Sequence, residues 1–96
     1  MLWYYTIMQN KIDWIKDQDE NILTADGFDY ALIGVCERFG QTPIATYDLY
    51  KCIDILVERD GMTEDEAYDY FYFNVIGSWV GEYTPCFVKL YTSEEN

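Results

Sequence analysis

Histidine is absent from this chain, lysine and arginine together number 6, and proline occurs only twice. Each scarcity removes a class of function. Without histidine the usual general base of serine and cysteine triads is missing, and so is the commonest nitrogen ligand of structural zinc. No phosphate-cradling glycine loop, G-x-S-x-G or C-x-x-C occurs. Cys36, Cys52 and Cys86 are odd in number, widely spaced and set among apolar neighbours. That pattern argues against a disulfide framework and for buried free thiols. None has a base beside it in sequence, so none is expected to act as a nucleophile. No apolar run approaches the roughly 18 residues of a membrane span, and "MLWYYTIMQNK" lacks the basic, apolar and small-residue regions of a signal peptide. The expectation is a cytoplasmic, reduced protein.

The shortage of cations matters most, because the chain carries 18 acids and a formal net charge of −12 on 96 residues. Such a field repels nucleic acid and anionic membranes, so direct binding to either is not expected, and basic partners, metal cations or simple solubility remain as its uses. A composition that is 50% apolar and 19% aromatic supplies the side chains for a packed core, which argues against disorder. The length fits one domain over residues 1–96.

The hydrophobic pattern predicts the order α-β-β-α-α-β. Ile7, Ile12, Trp14 and Ile15 fall at loosely helical intervals, giving a helix from about Thr6 to Asp17 within a weakly structured segment 1–25. Ala31–Cys36 and "IATY" flank a turn-like "FGQTP" and read as a hairpin, with Gly40 in its connection. Asp48 is an N-cap candidate for a helix that buries Leu49, Cys52, Ile53, Leu56 and Val57 and ends at Gly61. Thr63 and Glu66 form a capping box that opens a further helix, predicted to reach Gly77 or Trp79. That helix carries two apolar stripes, Ala67–Tyr70–Phe71–Val75 and Tyr68–Tyr72–Ile76–Trp79, so it should pack on two sides, within the domain or against a partner. "CFVKLY" alternates as a last strand, and 92–96 is a frayed tail. The fold class is a small single-domain α+β protein, an antiparallel sheet packed against two C-terminal helices.

From Asp26 onward the segments "DGFDYALIGV", "YDLYKCIDIL", "RDGMTEDEAYDYFYFNVIG" and "VGEYTPCF" resemble a family of small uncharacterised proteins encoded by bacteriophages. The likeness covers roughly two-thirds of the chain and rests on a DGMTxxEAxxxFxFNxxGxxxGExTPxF-type motif. It implies phage origin, a shared fold and a place in the host-cell cytoplasm. It implies no catalytic activity and no cofactor.

Two chemistries remain to be weighed. "DQDEN" from Asp17 starts like a calcium loop, but its sixth and twelfth positions are Ile22 and Phe28 instead of glycine and glutamate, so no metal site is assigned. Many carboxylates could be paired for acid–base catalysis, yet exposed, solvated acids are the simpler reading, and no catalytic residue is named. From Asp48 to Asp69 there are eight acids and two bases. Helix capping and solubility account for part of that excess. An electronegative docking face accounts for the rest, with Glu58, Asp60, Glu64, Asp65, Glu66 and Asp69 as charges and Tyr72 as an aromatic contact. Trp3, Tyr4, Tyr5, Tyr83 and Tyr91 are further aromatics for a core or an interface, while Asn74, Gly77, Gly81, Glu82 and Thr84 are expected to serve turns. The favoured reading is a non-enzymatic inhibitor that occupies the basic surface of a host protein such as a nuclease or CRISPR effector by mimicking DNA. Self-association as a homodimer through the outer stripe is the alternative.

Overall fold

Consecutive chain segments alternate between covering and forming a single small sheet. The structure, a computed structural model, describes residues 2–92, with side chains from residue 9 onward. The side chains of Trp3, Tyr4, Tyr5 and Ile7, and the tail from residue 93, lie outside the described residues. Helix α1 spans Leu2–Gln18, and a loop with a short 3-10 turn at Asp29–Ala31 leads to strand β1, Leu32–Cys36. Strand β2 is Ile44–Asp48, followed directly by α2, Leu49–Asp60, then α3, Glu64–Phe71, a π-helical segment Tyr72–Ile76, and strand β3, Cys86–Val88. The α+β class and the order of elements are those the sequence pattern predicts. Helix α1 begins four residues earlier than the periodicity places it.

The sheet is mixed rather than wholly antiparallel. β1 and β2 form the predicted hairpin, but β3 lies parallel to β2, with Thr46 opposite Cys86 and Asp48 opposite Val88. The cause is the connection: two helices carry the chain from the end of β2 back to the starting end of the sheet, as a parallel crossover requires. The expected strand 86–91 stops at Val88 because its partner ends at Asp48, where α2 begins. In β1 the pairing slips between Leu32 and Gly34, leaving Ile33 as the exposed extra residue of a bulge. β2 is the central strand, and four of its five residues are buried.

Local signals fix the helix ends. The Asp48 carboxylate accepts from the backbone N–H groups of Tyr50 at 3.0 Å and Lys51 at 3.3 Å. Gly61, at φ 71°, turns the chain out of α2 in a left-handed conformation that favours glycine. Thr63 Oγ1 accepts from the Glu66 N–H at 3.2 Å while Glu66 returns a carboxylate oxygen to the Thr63 N–H at 2.9 Å, completing the capping box. The helix then changes winding. Gly77 N–H donates to the Tyr72 carbonyl, five residues back, at 3.1 Å. A Cβ at Gly77 would stand 2.8 Å from the Phe73 carbonyl oxygen, so only glycine fits that closure without a backbone shift.

The core gathers Ile15 of α1, Leu32, Ala45 and Tyr47 of the sheet, Leu49, Cys52, Ile53 and Leu56 of α2, and Ala67 and Phe71 of α3. Phe71 stands edge-on to Phe28 at 5.7 Å and to Phe87 at 5.0 Å. Tyr47 is fully buried, and its phenol oxygen accepts from the Ala25 N–H at 2.6 Å, pinning the loop before the 3-10 turn to the sheet. Trp14 is half exposed, so the inner face of the described part of α1 rests on Ile15, with Ile12 half-buried beside it.

Thr63→Ala is expected to lower the unfolding free energy by about 1 kcal/mol in urea denaturation, the usual worth of an N-cap. Gly77→Ala, which in an ordinary helix stabilises by roughly 0.5–1 kcal/mol, should here destabilise. A stabilised Gly77→Ala variant would refute the tight closure.

Candidate functional site

The seven residues singled out from the sequence all sit on α2, α3 and the first π-helical residue, and all are exposed. They divide by what their side chains do. Asp60 receives Arg59 through two contacts, Nε at 3.0 Å and an NH2 nitrogen at 3.1 Å, and the guanidinium holds its carboxyl below the ordinary range. Glu66 is committed to the capping box. Glu58, Glu64, Asp65 and Asp69 point to solvent, and Arg59–Asp60 is the one ion pair among the described residues. Tyr72 is 42% exposed, with its ring stacked near Tyr68 at 6.5 Å and edge-on to Phe71 at 6.4 Å.

Asp54 and Glu58 lie one turn apart on the polar side of α2, and the fold sets them against the 27–30 turn. Together with Asp29, Tyr30, Ile55 and Arg59 they line an open cleft of about 700 Å³. Arg59 forms one wall: its guanidinium donates to the Gly27 carbonyl at 2.8 Å and lies over the Phe28 ring at 5.7 Å. Tyr30 is flanked by Lys11 at 5.9 Å and Lys51 at 5.3 Å. Burial, with Asp26 adding to it and Lys11 opposing, pushes the Asp29 carboxyl above its ordinary value. Burial, then repulsion from Lys51, lowers the Lys11 ammonium.

The structure therefore joins Glu58 to two acids, Asp29 and Asp54, that the sequence reading leaves outside the site. Asp54 carries a signal, its i, i+4 spacing to Glu58 on the hydrophilic side of α2. Asp29 carries none, because it reaches the cleft only through the packing of the 22–31 loop on α2.

Other candidate groups have structural work. Burial, followed by the charge of Asp48, pushes the Cys52 thiol up to about 12, so it stays protonated and unreactive. All three cysteines are free. Asp19 of "DQDEN" accepts from the Asn21 N–H at 2.8 Å and the Tyr83 hydroxyl at 3.1 Å. Among the described residues no three acidic or thiol groups converge as a metal site, and no helix is long and apolar enough to cross a membrane.

The motif residues Asn74, Gly77, Gly81 and Thr84 serve the backbone, as expected. Asn74 donates to the Tyr70 carbonyl at 3.1 Å. Thr84 Oγ1 donates to the Gly81 carbonyl at 2.6 Å and accepts from the Val80 N–H at 2.9 Å, closing a turn in which Gly81 has φ 108°. Glu82 contributes its carbonyl, which accepts from Thr42 Oγ1 at 2.8 Å and ties this turn to the hairpin. No family model, curated protein or solved structure matches the chain.

Arg59→Ala is expected to free the cleft wall. Hydrogen exchange should then speed up at the Phe28 and Ala31 amides, which bond to Ala25 and Phe28 carbonyls within the turn. Unchanged rates there would show that the guanidinium does not hold the loop.

Proposed function

We propose that this chain is a non-enzymatic acidic binding protein, of phage origin, that occupies a basic surface of a host protein through α2 and α3. The observation that carries this reading is the lack of internal compensation. Glu58, Glu64, Asp65 and Asp69 are exposed on consecutive elements, and the one ion pair among the described residues joins neighbours, Arg59 and Asp60. Carboxylates one turn apart on a helix, such as Asp65 and Asp69, repel by a few tenths of a kcal/mol per pair. A cationic partner relieves that repulsion and gains from field complementarity, which speeds association and makes it sensitive to salt. In its most concrete form the reading is DNA mimicry against a host nuclease or CRISPR effector, whose nucleic-acid channel is lined by lysine and arginine.

A second reading, a homodimer, is favoured by one observation: Tyr72, Ile76 and Trp79 of the outer stripe are exposed in the monomer.

Capture of such a nuclease or effector should weaken steeply from low to high salt. The triple replacement of Glu64, Asp65 and Asp69 by lysine should abolish it while the circular dichroism stays that of the parent. Undiminished capture by the triple variant would refute the acidic-surface reading. Light scattering should give a monomer mass, and a dimer mass lost on Tyr72→Lys would instead support self-association.

A further inference from the structure

Immediately after α3 the surface changes from acidic to apolar. Phe73 is 84% exposed, Trp79 76% and Val80 59%, although all three lie within eight residues of one another. The inward side of this segment is already used, since Phe71 is fully buried and Val75 packs against the core. The π-helical winding carries Phe73 outward. Beside this ridge lies an apolar groove of about 380 Å³ between the 23–28 loop and the 74–87 segment. Phe28, Val75 and Phe87 line it, Val80 belongs to both ridge and groove, and Asp26 is its one charged lining residue. Exposed apolar ground next to a concave apolar slot is the anatomy of an interface core.

Charge decides what can fill it. No lysine or arginine occurs between Arg59 and Lys89, whereas Asp69 and Glu82 flank the ridge in sequence and are exposed. A second copy would bring another body of net charge −12 against a groove whose lining holds Asp26 and no lysine or arginine, and like-charge juxtaposition is costly. We propose that the ridge and groove form the anchor site for a cationic protein segment that presents an apolar or aromatic side chain flanked by lysine or arginine. The anchor enters the slot beside Val80, while a flanking cation meets Asp26, the charged residue of the lining. This inference rests on the acidic-binding reading above and gives it a specific contact, since charge alone would hold any polycation equally well.

The test uses the full chain with two synthetic probes of equal length, oligolysine and an amphipathic helical peptide of leucine and lysine, measured by calorimetry. The leucine–lysine peptide should bind about tenfold or more tightly than oligolysine, the scale set by one well-buried anchor. Val80→Ser and Phe73→Ser, both changes at exposed positions, should each remove that gain yet bind oligolysine as the parent does. Equal binding of the two probes, or a gain that survives both substitutions, overturns the anchor site while leaving the acidic-binding reading standing. Failure of oligolysine to bind at low salt overturns both. A parent dimer that dissociates on both Val80→Ser and Phe73→Ser assigns the ridge and groove to a second copy and overturns the proposal.

Discussion

Three of the six cations are committed to backbone carbonyls of one loop, and the remainder of the molecule is arranged around that commitment. Lys16 Nζ donates to the Ile22 carbonyl at 2.6 Å. Lys11 Nζ donates to the carbonyls of Asp29 at 3.3 Å and Tyr30 at 3.1 Å, and Arg59 donates to Gly27 at 2.8 Å. All four carbonyls belong to the loop between α1 and β1, which has little regular structure to satisfy its own backbone. Those bonds let the loop deliver Ile22 and Phe28 into the core. The same commitment leaves few positive groups to neutralise the carboxylates outside, so loop stability and surface acidity are two consequences of one scarcity.

Tyr47 connects that loop to the sheet. Its ring is fully buried, tilted against Phe87 at 5.4 Å, and its oxygen takes the Ala25 N–H. Burial pushes its phenol up to about 12, with the Ala25 bond opposing. Both Tyr47 and Cys52 titrate above their unfolded values, so their contribution to stability is intact below the ordinary thiol value of 9.0 and is lost progressively as pH rises from there through about 12. Neither buried group changes its charge in the neutral range, so the packing they share with α2 is not disturbed there.

Features encoded over four or five residues were legible in the sequence. Asp48, Gly61 and the Thr63–Glu66 box could be read because each cap satisfies its own neighbours. The hairpin was legible for the same reason. The parallel direction of β3 and its end at Val88 were not, because both depend on β2, about forty residues away. The π-helical switch escaped periodicity reasoning, since an apolar stripe drawn at 3.6 residues per turn continues smoothly through Tyr72 and Ile76. In the site, counting charge along the chain found Glu58, Glu64, Asp65 and Asp69. It could not show that Asp60 is held by Arg59, or that Asp29 arrives beside Glu58 from a distant loop. Glu66 was a different case: the capping box already explained it, and the structure gives it that role.

The central claim is that uncompensated carboxylates on α2 and α3 are the surface that meets cationic partners. Chemical-shift mapping of the isotope-labelled chain during an oligolysine titration at low salt tests it most directly. The account predicts perturbations concentrated at amides from Asp54 to Tyr72, fading as salt is added. Equal perturbation at Asp13, Asp17 and Glu20, or shifts scattered over every exposed acid, would contradict it.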